Sequence, residues 1–129
     1  MIAVSEKIAV NFSLSPGNEH DAAEGRILLK GIGKSLGKCS VIMDRAYEGD
    51  ETRSLVKSLG YKPVVPPKAN RLAPWKYSKK QYKNRNIVER LFRNLKEFRR
   101  VFTRYDKLDI MFTAFVMFGL VVMGLKTLK

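Results

Sequence analysis

Apolar positions are strand-like at the start of the chain and recur at helical spacing further on, and the change of period divides the sequence into elements. Residues 2–4 and 8–14 are β-rich runs (Ile2, Ala3, Val4; Ile8, Ala9, Val10, Phe12) separated by Ser5, Glu6 and Lys7, which predicts a hairpin ending at Pro16-Gly17. From residue 21 to about 29 the pattern is helical, with Ala22, Ala23, Ile27 and Leu28 or Leu29 on one side and Gly31 and Gly33 as stops. Residues 39–43 are a compact apolar run ending on Asp44, the pattern of a buried strand with a carboxylate at its carboxyl end. Asp50 is placed to cap a helix running through Leu59, with Leu55, Val56 and Leu59 apolar and Gly60 as terminator. Residues 61–65 read as a short strand ended by Pro66-Pro67, and residues 66–80 as a basic loop.

Two longer helices follow. From about residue 82 to 102, a period of 100° per residue puts Val88, Leu91, Phe92, Leu95, Phe98 and Phe102 in one apolar sector, into whose edge Arg99 intrudes. Arg85, Glu89, Arg93, Lys96 and Arg100 share another face of that helix. Residues 108–125 are apolar nearly all round, which suits either a buried core or subunit-contact helix or a membrane span. Residues 110–125 make roughly 24 Å of helix, short of the roughly 30 Å of bilayer hydrocarbon, so a buried or subunit-contact helix is expected and a membrane is not. Together the elements predict an α/β chain of 129 residues in one domain.

Charge changes the picture. The chain carries a net +13, yet residues 1–60 hold eight basic and eight acidic side chains, while residues 61–129 hold seventeen and four. Fifteen of the basic residues lie within positions 62–107, opposed only by Glu89, Glu97 and Asp106. Such a stretch is either a solvated helix face or the footprint of a polyanion, and the interleaved Trp75, Tyr77, Tyr82 and Tyr105 offer stacking surfaces beside phosphate contacts. Nucleic acid or an anionic surface is the partner this charge selects. The single cysteine, Cys39, forms no internal bridge and no leader pattern opens the chain, which places it in a reducing cytoplasm.

Few residues carry chemistry. Gly33-Lys34-Ser35 imitates the end of a phosphate-binding loop, but Leu28 stands where the motif needs glycine, so the segment reads as a helix stop. His20 is the only histidine and reads as a turn or packing residue. Asp44 and Glu89 remain. Asp44 is either a turn cap or a metal ligand, and Glu89 either an i±4 ion pair with Arg85 or Arg93 or a second ligand. Hard divalent ions need converging carboxylate oxygens, and two such ions beside a nucleic-acid groove are a known device for phosphoryl transfer.

Tyr82, Arg85, Glu89 and Lys96 follow the spacing Y-x2-R-x3-E-x6-K, which resembles the signature around the third catalytic acid of DDE-type insertion-sequence transposases. The run Leu14-Ser15-Pro16-Gly17-Asn18-Glu19-His20-Asp21 resembles the family's L-[ST]-P-G-x-x-H-D turn, and Asp44-Arg45-Ala46-Tyr47-Glu48 its D-[KR]-[AG]-Y-[DE] motif. Pro63-Val64-Val65-Pro66-Pro67 with Arg71, and the stretch from Arg99 to Lys107, continue the similarity over essentially the whole chain. The resemblance implies a ribonuclease-H-like fold whose acids bind two Mg2+ or Mn2+ ions and direct water, then a DNA 3′-hydroxyl, onto a phosphodiester. Asp44 matches the second acid and Glu89 the third; Tyr82, Arg85, Arg93, Lys96 and Arg100 are the DNA-binding candidates.

The first catalytic Asp of that family lies on the central strand, upstream of the L-[ST]-P-G-x-x-H-D turn, and no residue here matches it. The expectation is therefore a partial ribonuclease-H-like fold lacking its first, central strand, from a downstream reading frame, a relic or a fragment. Such a chain binds insertion-sequence DNA at the nucleoid but is inactive alone, partners an upstream-frame product, and is oligomeric in the full-length active form. The competing classes are a non-catalytic DNA-binding protein and a small basic membrane-associated protein.

Overall fold

In the computed structural model, which describes residues 1–16 and 20–128, the opening runs form an antiparallel hairpin of β1 (Ile2–Ser5) and β2 (Ile8–Asn11). The second strand is shorter than its apolar pattern, and Gly17 of the expected hairpin end lies outside the described residues. Helix α1 (Asp21–Ile32) runs past Gly31 and stops at Gly33, whose φ of 72° is left-handed backbone that glycine adopts without steric cost. Its buried side carries Leu28 and Leu29, whereas Ile27 faces solvent.

Strand β3 (Ser40–Ile42) and strand β4 (Lys62–Val64) pair in parallel, Ser40 opposite Lys62 and Ile42 opposite Val64. Between them lie a 3-10 turn (Arg45–Tyr47) and α2 (Asp50–Ser58), the crossover that a parallel pair requires. Strand β3 is only partly buried, with Ser40 exposed, so the fully buried strand expected from its apolar run is not what forms. Asp50 is the first residue of α2 rather than its cap, and its carboxylate pairs with Arg53 and Arg71 instead. Val56 and Thr52 are the buried face of α2, and Val64 and Val65 are fully buried at the end of β4.

The basic stretch contains a short helix α3 (Lys79–Tyr82), whose cap Ser78 accepts the Gln81 backbone N–H at 3.2 Å, and a 3-10 turn (Lys83–Arg85). Helices α4 (Asn86–Leu95), α5 (Arg99–Phe102) and α6 (Asp109–Leu125) follow. The continuous helix expected over 82–102 is thus broken at two places. At the second break Phe98 takes extended backbone (φ −77°, ψ 112°), and its side chain packs against a cluster of Leu91, Leu95, Val116 and Met123. The packing at Gly119 gives the reason: a Cβ there would lie 2.9 Å from Leu95 Cδ1 and 3.4 Å from the Phe98 ring. The missing side chain lets both approach α6, and an unbroken helix gives way to that packing. Phe92 and Phe102, assigned to the same apolar sector by periodicity, are exposed.

Helix α6 buries one stripe, Val116, Gly119 and Met123, while Ile110, Phe118 and Val121 remain exposed, so of the two expectations the fully buried core helix is corrected to a half-covered one. Among the described residues no helix is long and apolar enough to cross a membrane. The chain divides into two compact units, one of Met1–Leu14 with Asn86–Lys129 and one of Ser15–Arg85. The first holds the hairpin, α4, α5 and α6; the second holds α1, the β3–β4 pair, α2 and α3.

Candidate functional site

In the Ser15–Arg85 unit, β3 delivers Asp44. The Met43 N–H donates to the Val64 carbonyl at 3.0 Å, carrying the pairing one residue beyond the strand. The chain then turns at Asp44, whose Oδ1 accepts the Arg45 N–H at 2.6 Å and whose carbonyl accepts the Tyr47 N–H at 2.9 Å. The other carboxylate oxygen, Oδ2, lies 2.9 Å from Arg85 Nη1. Arg85 in turn lies over the Tyr82 ring at 5.7 Å, and that ring meets Tyr77 edge-on at 5.6 Å. Residues distant in sequence, from the D-[KR]-[AG]-Y-[DE]-like and Y-x2-R-like segments, therefore meet around one half-exposed carboxylate.

Tyr47 sits beneath this turn, against α1. A Cβ on Gly25 would fall 2.6 Å from its ring, so glycine is what lets the phenol lie on the helix. Burial raises the Tyr47 pKa above its ordinary value of 10.0, and the negative charges of Asp21 and Asp44 raise it further. Two carboxylates thus face one neutral hydroxyl. His20 precedes α1 with no side-chain cap bond, in line with its reading as a turn residue.

A second constellation holds the chain after β4. Glu48 is buried and pairs with Arg71 at 3.3 Å and Lys68 at 3.7 Å, while Arg71 also pairs with Asp50. Trp75 donates its indole N–H to the Val65 carbonyl at 2.8 Å and packs against the guanidinium groups of Arg53 (3.4 Å) and Arg71 (4.8 Å). The stacking surface that the sequence offered to a nucleic acid is therefore engaged within the protein, which corrects that expectation for Trp75. Glu48 closes the D-[KR]-[AG]-Y-[DE]-like motif, whereas Arg53 and Gly25 had no signal in the sequence beyond their neighbourhood to a motif.

In the other unit, Glu89 is exposed on α4, as is Arg93 on the same helix and Lys96 just after it. Arg90 lies 3.7 Å from Glu6, and Asn94 donates to the Glu6 carbonyl at 2.9 Å, tying α4 to the hairpin turn. Arg100 sits on α5, pairs with Asp106 at 3.7 Å and lies over the Phe115 ring at 4.5 Å. The single cationic face from Arg85 to Arg100 is interrupted with the helix that was to carry it.

Asp44 has the chemistry of one ligand for a hard divalent ion: an accessible carboxylate with a lone-pair position left on each oxygen. Among the described residues no three acidic, histidine or cysteine side chains gather in the manner of a metal centre. The residues present therefore fit as contributors to such a site and do not complete one. The family model described as a transposase DDE domain matches residues 1–123. Neither curated proteins nor solved structures give a match.

Proposed function

Because the chain belongs to the transposase DDE domain family, we propose that it serves DNA transposition as the distal part of a catalytic domain that cleaves DNA and transfers its strands. Asp44 and Glu89 are the acids it contributes to a divalent-metal site for Mg2+ or Mn2+, within a ribonuclease-H-like fold whose central strand and first acid come from a further polypeptide segment. When bound, the ions supply Lewis-acid stabilisation of the reacting phosphodiester. Arg85, steadied by Tyr82, keeps a cation beside Asp44, and Arg93, Lys96 and Arg100 hold the DNA backbone. The partners are insertion-sequence ends and an upstream-frame product, in an oligomer on the cell's DNA.

What carries this reading is the pairing of Arg85 with Asp44, two residues that the family pattern places at one centre. The test uses the purified chain with terminal-repeat DNA and Mg2+ or Mn2+. Binding without cutting or joining is expected, with log K falling against log[salt] at a slope of about −5 if about six phosphates are contacted. A slope near zero removes DNA from the account, and robust strand transfer by the chain alone removes its dependence on a further segment.

One observation favours a non-catalytic DNA-binding protein instead: Asp44 does cap the 3-10 turn through Arg45. The two readings separate in a version of the chain joined to an Asp-bearing strand that restores transfer. There Glu89→Gln abolishes transfer on the catalytic reading and leaves it unchanged on the other.

A further inference from the structure

At the amino-terminal ends of β3 and β4, opposite the end that carries Asp44, lies an open cleft of about 520 Å³ within the Ser15–Arg85 unit. Lys38, Lys57 and Lys62 line it, together with Cys39, Ser40 and Gln81, and no carboxylate among the described residues does. Gln81 Nε2 donates to Ser40 Oγ at 3.4 Å, which leaves the serine proton free to be given to an incoming oxygen. Three ammonium groups outweigh the roughly half negative charge that the carboxyl end of α2 brings to the same place. Tyr61 adds an aromatic face to the same lining, and the cleft is open and cationic, unlike the enclosed pockets that surround small organic ligands.

We infer that this cleft is a second contact for the DNA sugar-phosphate backbone, engaging two or three phosphates through Lys38, Lys57, Lys62 and the Ser40 hydroxyl. Ser40 and Asp44 are four residues apart along an extended chain, a reach of roughly 13 Å, so the cleft and Asp44 touch separate phosphates of one nucleic acid. Lys38 and Lys57 belong to the half of the sequence whose charges balance, which is why net charge did not reveal them. The inference rests on the chain binding DNA, and its test keeps the two apart.

Cys39 is exposed in the cleft and is the only cysteine, so its alkylation by a maleimide reports on this place alone. The full chain is alkylated with and without a random-sequence duplex, and the salt slope of binding is measured for it and for the combined Lys38→Gln, Lys57→Gln, Lys62→Gln variant. A several-fold slowing of alkylation by DNA is expected, with a slope shallower by about 2 to 3 in the variant and unchanged in the matching Lys→Arg variant. Steep salt dependence with Cys39 unprotected and the glutamine variant's slope unaltered overturns the cleft and leaves DNA binding standing. Absence of DNA binding overturns both. Equal protection by inorganic phosphate at the same phosphate concentration assigns the cleft to small anions and overturns the DNA backbone.

Discussion

Replacing Gly25 by alanine tests how the turn that presents Asp44 is held. In a helix interior the change is favourable by about 1 kcal/mol, because alanine restricts the unfolded chain and suits the helix. Here the new methyl would stand 2.6 Å from Tyr47 Cε1 and 3.0 Å from Cδ1, against the roughly 3.5–4.0 Å of an ordinary carbon contact. The ring must retreat by about 1 Å, and forcing a packed side chain aside costs about 1–3 kcal/mol. The net effect is a loss of roughly 0–2 kcal/mol. Urea unfolding followed by Trp75 fluorescence reads this unit directly, since Trp75 is the only tryptophan and lies in it. In a Tyr47→Ala background the same substitution should instead stabilise by about 1 kcal/mol, giving a coupling energy of about 1–3 kcal/mol. A gain of about 1 kcal/mol in both backgrounds, with no coupling, refutes the contact and the account of the turn built on it.

Three further outcomes follow from burial and charge. Arg71→Ala leaves Glu48 buried with only the more exposed Lys68, and should cost about 2–3 kcal/mol in urea unfolding, toward the lower end of what removing one partner of a buried pair does because Arg71 is itself partly exposed; a loss below about 0.5 kcal/mol contradicts the anchoring role. Leu91→Ala should cost about 2–5 kcal/mol and Phe92→Ala less than about 1, since Leu91 is 0 % exposed and Phe92 41 %; the reverse ranking would contradict the face that α4 buries. The raised Tyr47 pKa sets a sign for alkaline pH: the unfolded phenol ionises first, so this group's stability is fully present below about pH 10 and is lost as pH rises through the higher folded value. Tyr47→Phe should flatten that decline, and an unchanged alkaline limb counts against the burial.

Local pattern sufficed where an element's own residues decide it. The hairpin followed from two β-rich runs, and α1 and α2 end at Gly33 and Gly60, both at positive φ. It failed where a distant residue decides. The apolar sector of residues 82–102 continues through Leu95, Phe98 and Phe102 with only Arg99 at its edge, and nothing in that window says that Gly119 leaves room for Phe98 on α6. Similarly, α6 is apolar all round, yet the cluster it packs against meets one stripe, and composition alone does not tell a covered face from an open one. For the site, the family resemblance marked Asp44, Tyr82 and Arg85, which do come together, and Tyr47 within the same motif; that Tyr47 packs on Gly25 is a contact that a single sequence does not display.

Two arginine–carboxylate pairs in the same unit show how burial divides structure from function. Arg71 and Glu48 are withdrawn from water, with side-chain exposures of 23 % and 7 %, so separating them strands a charge where solvent does little to compensate. That pair belongs to the scaffold and ties the segment after β4 to the D-[KR]-[AG]-Y-[DE]-like turn. Arg85 and Asp44 have the same chemistry at 2.9 Å, but their side chains are 40 % and 52 % exposed. An exposed pair of this kind contributes about 0–1 kcal/mol, because water and salt take over most of the interaction when it opens. Opening this one contact is therefore cheap. On the proposed reading, in which Asp44 exchanges this cation for a metal ion, so weak a hold is what the exchange requires, and Arg85 stays beside the site as a cation for a phosphate.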